Sequence, residues 1–233
     1  MVLPLGDLEK TRIVPLATYC LIALNIVVYL FQLEQGLNFT IAYAATPYEI
    51  RHNEDLQALA PFPVRLTILT ALFLHGSPIH LASNMLCLWI FGDNVEEVLG
   101  TFRYLLVYLA CGLMGTLTQI AANSESMIPT LGASGAIAGV MGAYVVWFPH
   151  NRVRVLVLRY IVLLPAFVVI GGWIAFQVWE GVGSVGKLGE VGGIAYFAHI
   201  GGAATGVLVA LFFHDRARKV RDLGDQEEWL IGI

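Results

Sequence analysis

The sequence predicts an all-α membrane protein, a bundle of six transmembrane helices. Three observations carry that prediction. Of the 233 residues, 58% are hydrophobic and only 13% are charged, whereas a soluble domain is nearer half apolar and a quarter charged. Six apolar runs approach the length of about 20 residues that a helix needs to cross a bilayer. Lys and Arg fall overwhelmingly on one side of the resulting topology. The net charge of -4 gives no reason to expect nucleic acid as a partner. The partner expected is the lipid bilayer.

The first run covers about Val14–Leu33, with Pro15 tolerated in the first helical turn. The preceding residues carry Asp7 and Glu9 and no basic stretch before them, so they do not read as a cleavable leader, and the run is expected to stay as a span. A long amphiphilic loop follows, about Glu34–Leu66, with Pro61 and Pro63. The second run is about Pro78–Val95 and the third about Tyr104–Ala122. A polar break at Asn123–Ser126 leads to the fourth, about Ser134–Phe148. The fifth is about Tyr160–Trp179, and a glycine-rich loop from Gly181 to Gly193 precedes the sixth, about Tyr196–Phe213. The expected organisation is a short segment 1–13, a six-span unit 14–213 and a charged tail 214–233. Cys20, Cys87 and Cys111 all lie inside apolar runs and read as small buried residues rather than a disulfide framework.

With six spans, both termini share a side with the second and fourth connections. That side holds ten basic residues: Lys10, Arg12, Arg103, Arg152, Arg154, Arg159, Arg216, Arg218, Lys219 and Arg221. The other holds three: Arg51, Arg65 and Lys187. The bias places both termini in the cytoplasm of a multi-pass protein of the cell (inner) membrane.

Topology then sets depth. Ser134 to Phe148 and His199 to Phe213 are each fourteen steps, about 21 Å at about 1.5 Å per residue. Ser134 and His199 should therefore lie at one level. Asn84 shares that level if its helix runs on to Glu97. Polar groups at membrane depth are costly unless they pair or line a wet cavity. A serine beside a histidine is the basic unit of an activated nucleophile, and the histidine pKa suits a general base; the structural alternatives are a Ser134 that bonds its own helix backbone and a His199 bonded to a carbonyl. His80 and Asn84, four apart, share a helix face and can supply donors for an oxyanion, or Asn84 can act as interhelical glue. His75 reads as a residue that orders the loop entering the second span. Small residues recur beside Ser134 (Ala138, Gly142) and beside His199 (Gly202, Gly206), and such stripes let helices approach closely. A metal site from His75, His80 and His199 has neither the spacing nor a nearby carboxylate, and no metal or cofactor is expected. The soluble-hydrolase elbow is also ruled out, because position 136 is Ala.

These stretches resemble the rhomboid intramembrane serine proteases. Gly132-Ala133-Ser134-Gly135 is similar to the family's GxSG. Ala198-His199-Ile200-Gly201-Gly202 is similar to its AHxGG. His80-Leu81-Ala82-Ser83-Asn84, preceded by Leu74-His75-Gly76, is similar to its HxxxN. The likeness runs from about Thr70 to Gly206. It implies a serine endopeptidase that cleaves transmembrane segments of other membrane proteins, with Ser134 as nucleophile and His199 as base. It implies an oxyanion hole from the Ser134 backbone N–H, His80 and Asn84. Two features depart from the pattern. The first loop lacks a Trp-Arg pair, and Ala138 stands where an aromatic often stacks on the histidine. The rival readings are a catalytically silent relative that binds membrane clients, and a small transporter. The silent relatives typically lack the serine or the histidine, and no inverted repeat supports the transporter.

No Asp or Glu lies in the interior of the fourth, fifth or sixth run, and Glu180 and Glu190 read as loop residues. The expected site is thus a dyad whose histidine is oriented by close packing at Gly202 and Gly206.

Overall fold

The computed structural model describes residues 2–9, 11–56, 59–184 and 194–231. Lys10, Lys187 and Glu190 lie outside the described residues. The elements in chain order are β1 (Val2–Asp7), α1 (Leu16–Gln35), α2 (Leu37–Tyr43), α3 (Pro47–His52), α4 (Thr67–Thr70), α5 (Pro78–Leu99) and α6 (Thr101–Ala122). They continue with α7 (Ser134–Trp147), β2 (Arg152–Val157), β3 (Tyr160–Pro165), α8 (Ala166–Ser184), α9 (Tyr196–Phe212) and α10 (His214–Ile231). The six apolar runs correspond to α1, α5, α6, α7, α8 and α9. The protein is a helical multi-pass membrane bundle.

Among the described residues, α1, α6 and α8 are each long and apolar enough to span a membrane alone. The segment Val64–Phe73 reaches that standard only together with α5, across a 72° bend, and α9 only together with the start of α10, across a 68° bend. Helix α7 is short, 14 residues, because it starts inside the bundle at Ser134. Its core is almost wholly buried, and it packs between α5, α6, α8 and α9.

The fifth run needs correction. Its first six residues form β3 rather than helix. Tyr160–Pro165 is rich in β-branched and large apolar residues, and Pro165 closes the strand before α8 begins. Strand β2 pairs antiparallel with β3, and β1 pairs antiparallel with β2, giving the order β1-β2-β3. A small sheet therefore supplements the helical fold at the end where α7 gives way to α8. Glu180 also departs from expectation, since it lies on α8 and not in a loop.

Polar chemistry ties this end together. The Glu96 carboxylate of α5 is fully buried. It accepts from the backbone N–H of Ala17 and Thr18, at 3.0 and 2.9 Å, and from the hydroxyls of Thr18 and Thr101, both at 2.9 Å. Those backbone donors are the unpaired first turn of α1, where a negative charge is favoured. Arginines serve the opposite helix ends. Arg216 donates to Val98 O and Arg221 to Trp147 O, capping α5 and α7.

At the other end, α2, α3 and the segment after them fold over the bundle. Arg51 of α3 reaches Ser124 and Glu125 beyond α6, and Ala45 forms an isolated bridge with Thr130. The Gln32 side chain donates to His75 O at 2.8 Å and accepts from His75 N at 3.1 Å, which pins the entry to α5 onto α1.

Candidate active site

Helix α7 begins at Ser134 because the preceding Gly132 reverses the chain. Gly132 has φ +128°, a conformation that L side chains rarely adopt. A Cβ there would sit 2.8 Å from the His80 ring. Glycine is required by backbone geometry and by space alike. Gly132 N–H donates to Ala71 O at 2.8 Å, which fixes the turn against the segment before α5.

Helices α7 and α9 meet through glycine. A Cβ on Gly202 would collide with the Gly135 carbonyl oxygen, and one on Gly206 with that of Gly139. On α7 the small face is Gly135, Gly139 and Gly142, which shares Gly142 with the stripe read in the sequence and replaces Ser134 and Ala138 by the glycines that follow them. This close approach brings His199, one turn into α9, beside Ser134. The Ser134 Oγ lies 2.8 Å from His199 Nε2. Both residues are half-buried, and a small cleft lined by Ala71, Thr130, Gly132, Ser134 and Ala198 opens beside the hydroxyl.

The other face of His199 belongs to α8. Its Nδ1 lies 2.7 Å from Gln177 Oε1. The Trp173 ring packs against the imidazole with centroids 5.4 Å apart and planes inclined by 38°. The aromatic missing at Ala138 is thus supplied from a different helix. Sequence reasoning singles out neither Gln177 nor Trp173. The available signal is a lone amide in the interior of the fifth run.

His80 and Asn84 project from the first turns of α5. The Gly76 N–H donates to His80 Nδ1 at 3.4 Å, so the proton of the neutral ring sits on Nε2. That Nε2 and Ser134 Oγ lie 2.9 and 3.6 Å from one point, the empty Cβ position of Gly132. Asn84 is buried, and its Nδ2 lies 3.0 Å from Nε2 of the fully buried His75. His75 therefore holds Asn84 and touches His80, with ring centroids 5.1 Å apart. Among the described residues, no group of three or more His, Cys, Asp or Glu is placed to hold a metal ion.

A hydroxyl against an imidazole nitrogen, with an N–H donor nearby, has the parts that acyl transfer needs: nucleophile, base and oxyanion donor.

Comparison with known proteins gives the family. A family model described as the rhomboid domain matches residues 64–216. The chain is 32% identical over 162 residues to "Rhomboid protein 1, mitochondrial" of Saccharomyces cerevisiae, covering 67% of this chain and 44% of that protein. It is 38% identical over 138 residues to "Rhomboid protease GluP" of Bacillus subtilis, covering 59% of this chain and 26% of that one. It is 29% identical over 160 residues to the human "Presenilin-associated rhomboid-like protein, mitochondrial", covering 66% and 40%. The chain thus spans less than half the length of these relatives. A domain match over more than half its length, on a helical membrane bundle, assigns this chain to the rhomboid family.

Proposed function

We propose that this protein is an intramembrane serine endopeptidase that hydrolyses peptide bonds in or near transmembrane segments of other membrane proteins. The observation that carries the reading is the 2.8 Å approach of Ser134 Oγ to His199 Nε2. The similarity to a relative named as a protease adds to it.

In this mechanism Ser134 Oγ attacks the scissile carbonyl carbon while His199 Nε2 takes the hydroxyl proton. The carbonyl oxygen becomes an oxyanion, met by the Ser134 backbone N–H, His80 Nε2–H and the second Nδ2 proton of Asn84. Collapse breaks the C–N bond, and His199 hands its proton to the departing amine. A water then gives a proton to His199 and attacks the acyl carbon, and the proton returns to Ser134 Oγ as the acid is released. The unit 14–213 is the catalytic body, and the terminal segments 1–13 and 214–233 lie on the cytoplasmic face of the cell membrane.

The test is purified protein in proteoliposomes with a single-span substrate and a fluorophosphonate probe. Wild type should cleave and be labelled, and Ser134→Ala and His199→Ala should do neither. Cleavage by a verified Ser134→Ala sample would overturn the reading.

A further inference from the structure

His199 is held from two helices. From α7, Ser134 Oγ faces its Nε2; from α8, Gln177 Oε1 faces its Nδ1 at 2.7 Å. Gln177 is only 5% exposed, on a helix whose other interior residues are almost all apolar or small. Burying an amide there is costly unless it is bonded, and its side-chain oxygen is bonded to His199. Trp173, one turn earlier on α8, lies against the same ring.

The chemistry of that bond fixes the histidine. An amide oxygen only accepts, so Nδ1 carries the proton. Nε2 then presents its lone pair to the Ser134 hydroxyl, the one state in which it can take the proton. The other tautomer would set the Nδ1 lone pair against the amide oxygen and turn an N–H toward the serine.

We propose that Gln177 is a positioning residue that fixes the tautomer and plane of His199, so that the centre is a Ser134–His199 dyad oriented by Gln177. This rests on the protease reading of the dyad. Packing at Gly202 and Gly206 sets the distance between the helices. Gln177 sets which nitrogen faces the serine. A carboxylate in this position of a soluble triad orients the ring in the same way and also stabilises the imidazolium by charge. At membrane depth a buried carboxylate is expensive, and a neutral amide orients the ring without that cost.

The experiment is the pH profile of kcat/KM for a single-span substrate in proteoliposomes, with wild type, Gln177→Leu and Gln177→Glu, alongside probe-labelling rates and thermal melting. Gln177→Leu should lower the plateau by about 10²-fold, the scale of a misplaced reacting group, with KM nearly unchanged. Its acid limb should move to lower pH, because the imidazolium loses an acceptor. Gln177→Glu should recover much of the plateau and move the acid limb upward by about one pH unit, because a carboxylate favours the imidazolium. A purely structural glutamine would alter melting and leave the plateau and acid limb of folded Gln177→Leu on the wild-type curve, and that result overturns the proposal. If Gln177→Leu does not fold, Gln177→Met takes its place: a fall in the plateau with KM unchanged supports the positioning role, and an unchanged plateau overturns it. Failure of the protease reading itself would look different, as wild type that neither cleaves nor labels above Ser134→Ala.

Discussion

The Cα of Gly206 rests so close to the carbonyl of Gly139 that a single added methyl would run into that oxygen. The spacing of α7 and α9, and with it the distance from Ser134 to His199, depends on this contact. Gly206→Leu should force the helices apart by an ångström or more. A misplacement of that size costs about 10²-fold in rate. Probe labelling should fall by that factor in protein that still inserts, and Gly206→Ala should fall less. Full labelling of Gly206→Leu would remove the packing account.

The oxyanion role proposed for His80 and Asn84 gives a second expectation. Losing one such donor costs about 10²–10³ in kcat elsewhere. His80→Ala and Asn84→Ala should each lower kcat on that scale with probe labelling slowed in parallel. If both keep full rate and only melt earlier, they are helix glue.

His75 should act on Ser134 at one remove, because its Nε2 anchors the Asn84 amide. His75→Phe preserves a ring and removes the anchor. It should lower kcat toward the level of Asn84→Ala, and the double variant should be no worse than the worse single one. Additive losses in that cycle would separate the two residues.

Topology has its own measurement. In a background free of Cys20, Cys87 and Cys111, a cysteine at His52 should react with an impermeant reagent from outside. One at Val220 should react only from the cytoplasm. The reverse pattern would invert the orientation argued from Lys and Arg.

Asp7 predicts how stability depends on pH. Burial pushes its carboxyl up to about 7, with nearby Asp93 and Glu9 adding to the effect, although the Tyr144 hydroxyl donates to it at 2.5 Å. Asn151 Nδ2 donates to it as well, at 3.2 Å. The folded chain therefore keeps a proton that the unfolded chain, with a carboxyl near 3.8, has released. The stability this group contributes is present below about pH 4 and is lost as pH rises through about 7. Asp7→Asn removes that dependence and keeps an acceptor. Its melting temperature should gain on wild type between pH 5 and pH 8, whereas parallel melting curves would show that the proton plays no part.

Much of this is legible in the sequence because membrane burial makes apolar length and polar exceptions informative. Each of the six runs holds a helix, and Ser134 and His199 stand out as polar groups at one depth. What the sequence hides has physical causes. Tyr160–Pro165 reads as the start of a span because a short apolar run does not distinguish strand from buried helix. The α7 stripe is right at Gly142 and one residue off at Gly135 and Gly139, because its phase depends on which side of Ser134 faces α9, and only packing decides that. Gln177 escapes notice when the histidine's partner is sought among acids, whereas a neutral amide serves at this depth. Trp173 lies on a different helix from the aromatic that the family pattern leads one to expect.

The pairing of β1 with β2 joins Val2 to Val157 and Asp7 to Val153, residues made well apart in the synthesis schedule. On a ribosome working at about 5–20 residues per second, β1 waits roughly 7–30 s for its partner strand to be made. Throughout that interval its backbone donors and acceptors are open to any other extended chain nearby, so nascent molecules on neighbouring ribosomes have time to pair wrongly. Slowing translation between residues 100 and 150 should therefore raise the share of aggregated product, and deleting β1 should make yield indifferent to translation speed.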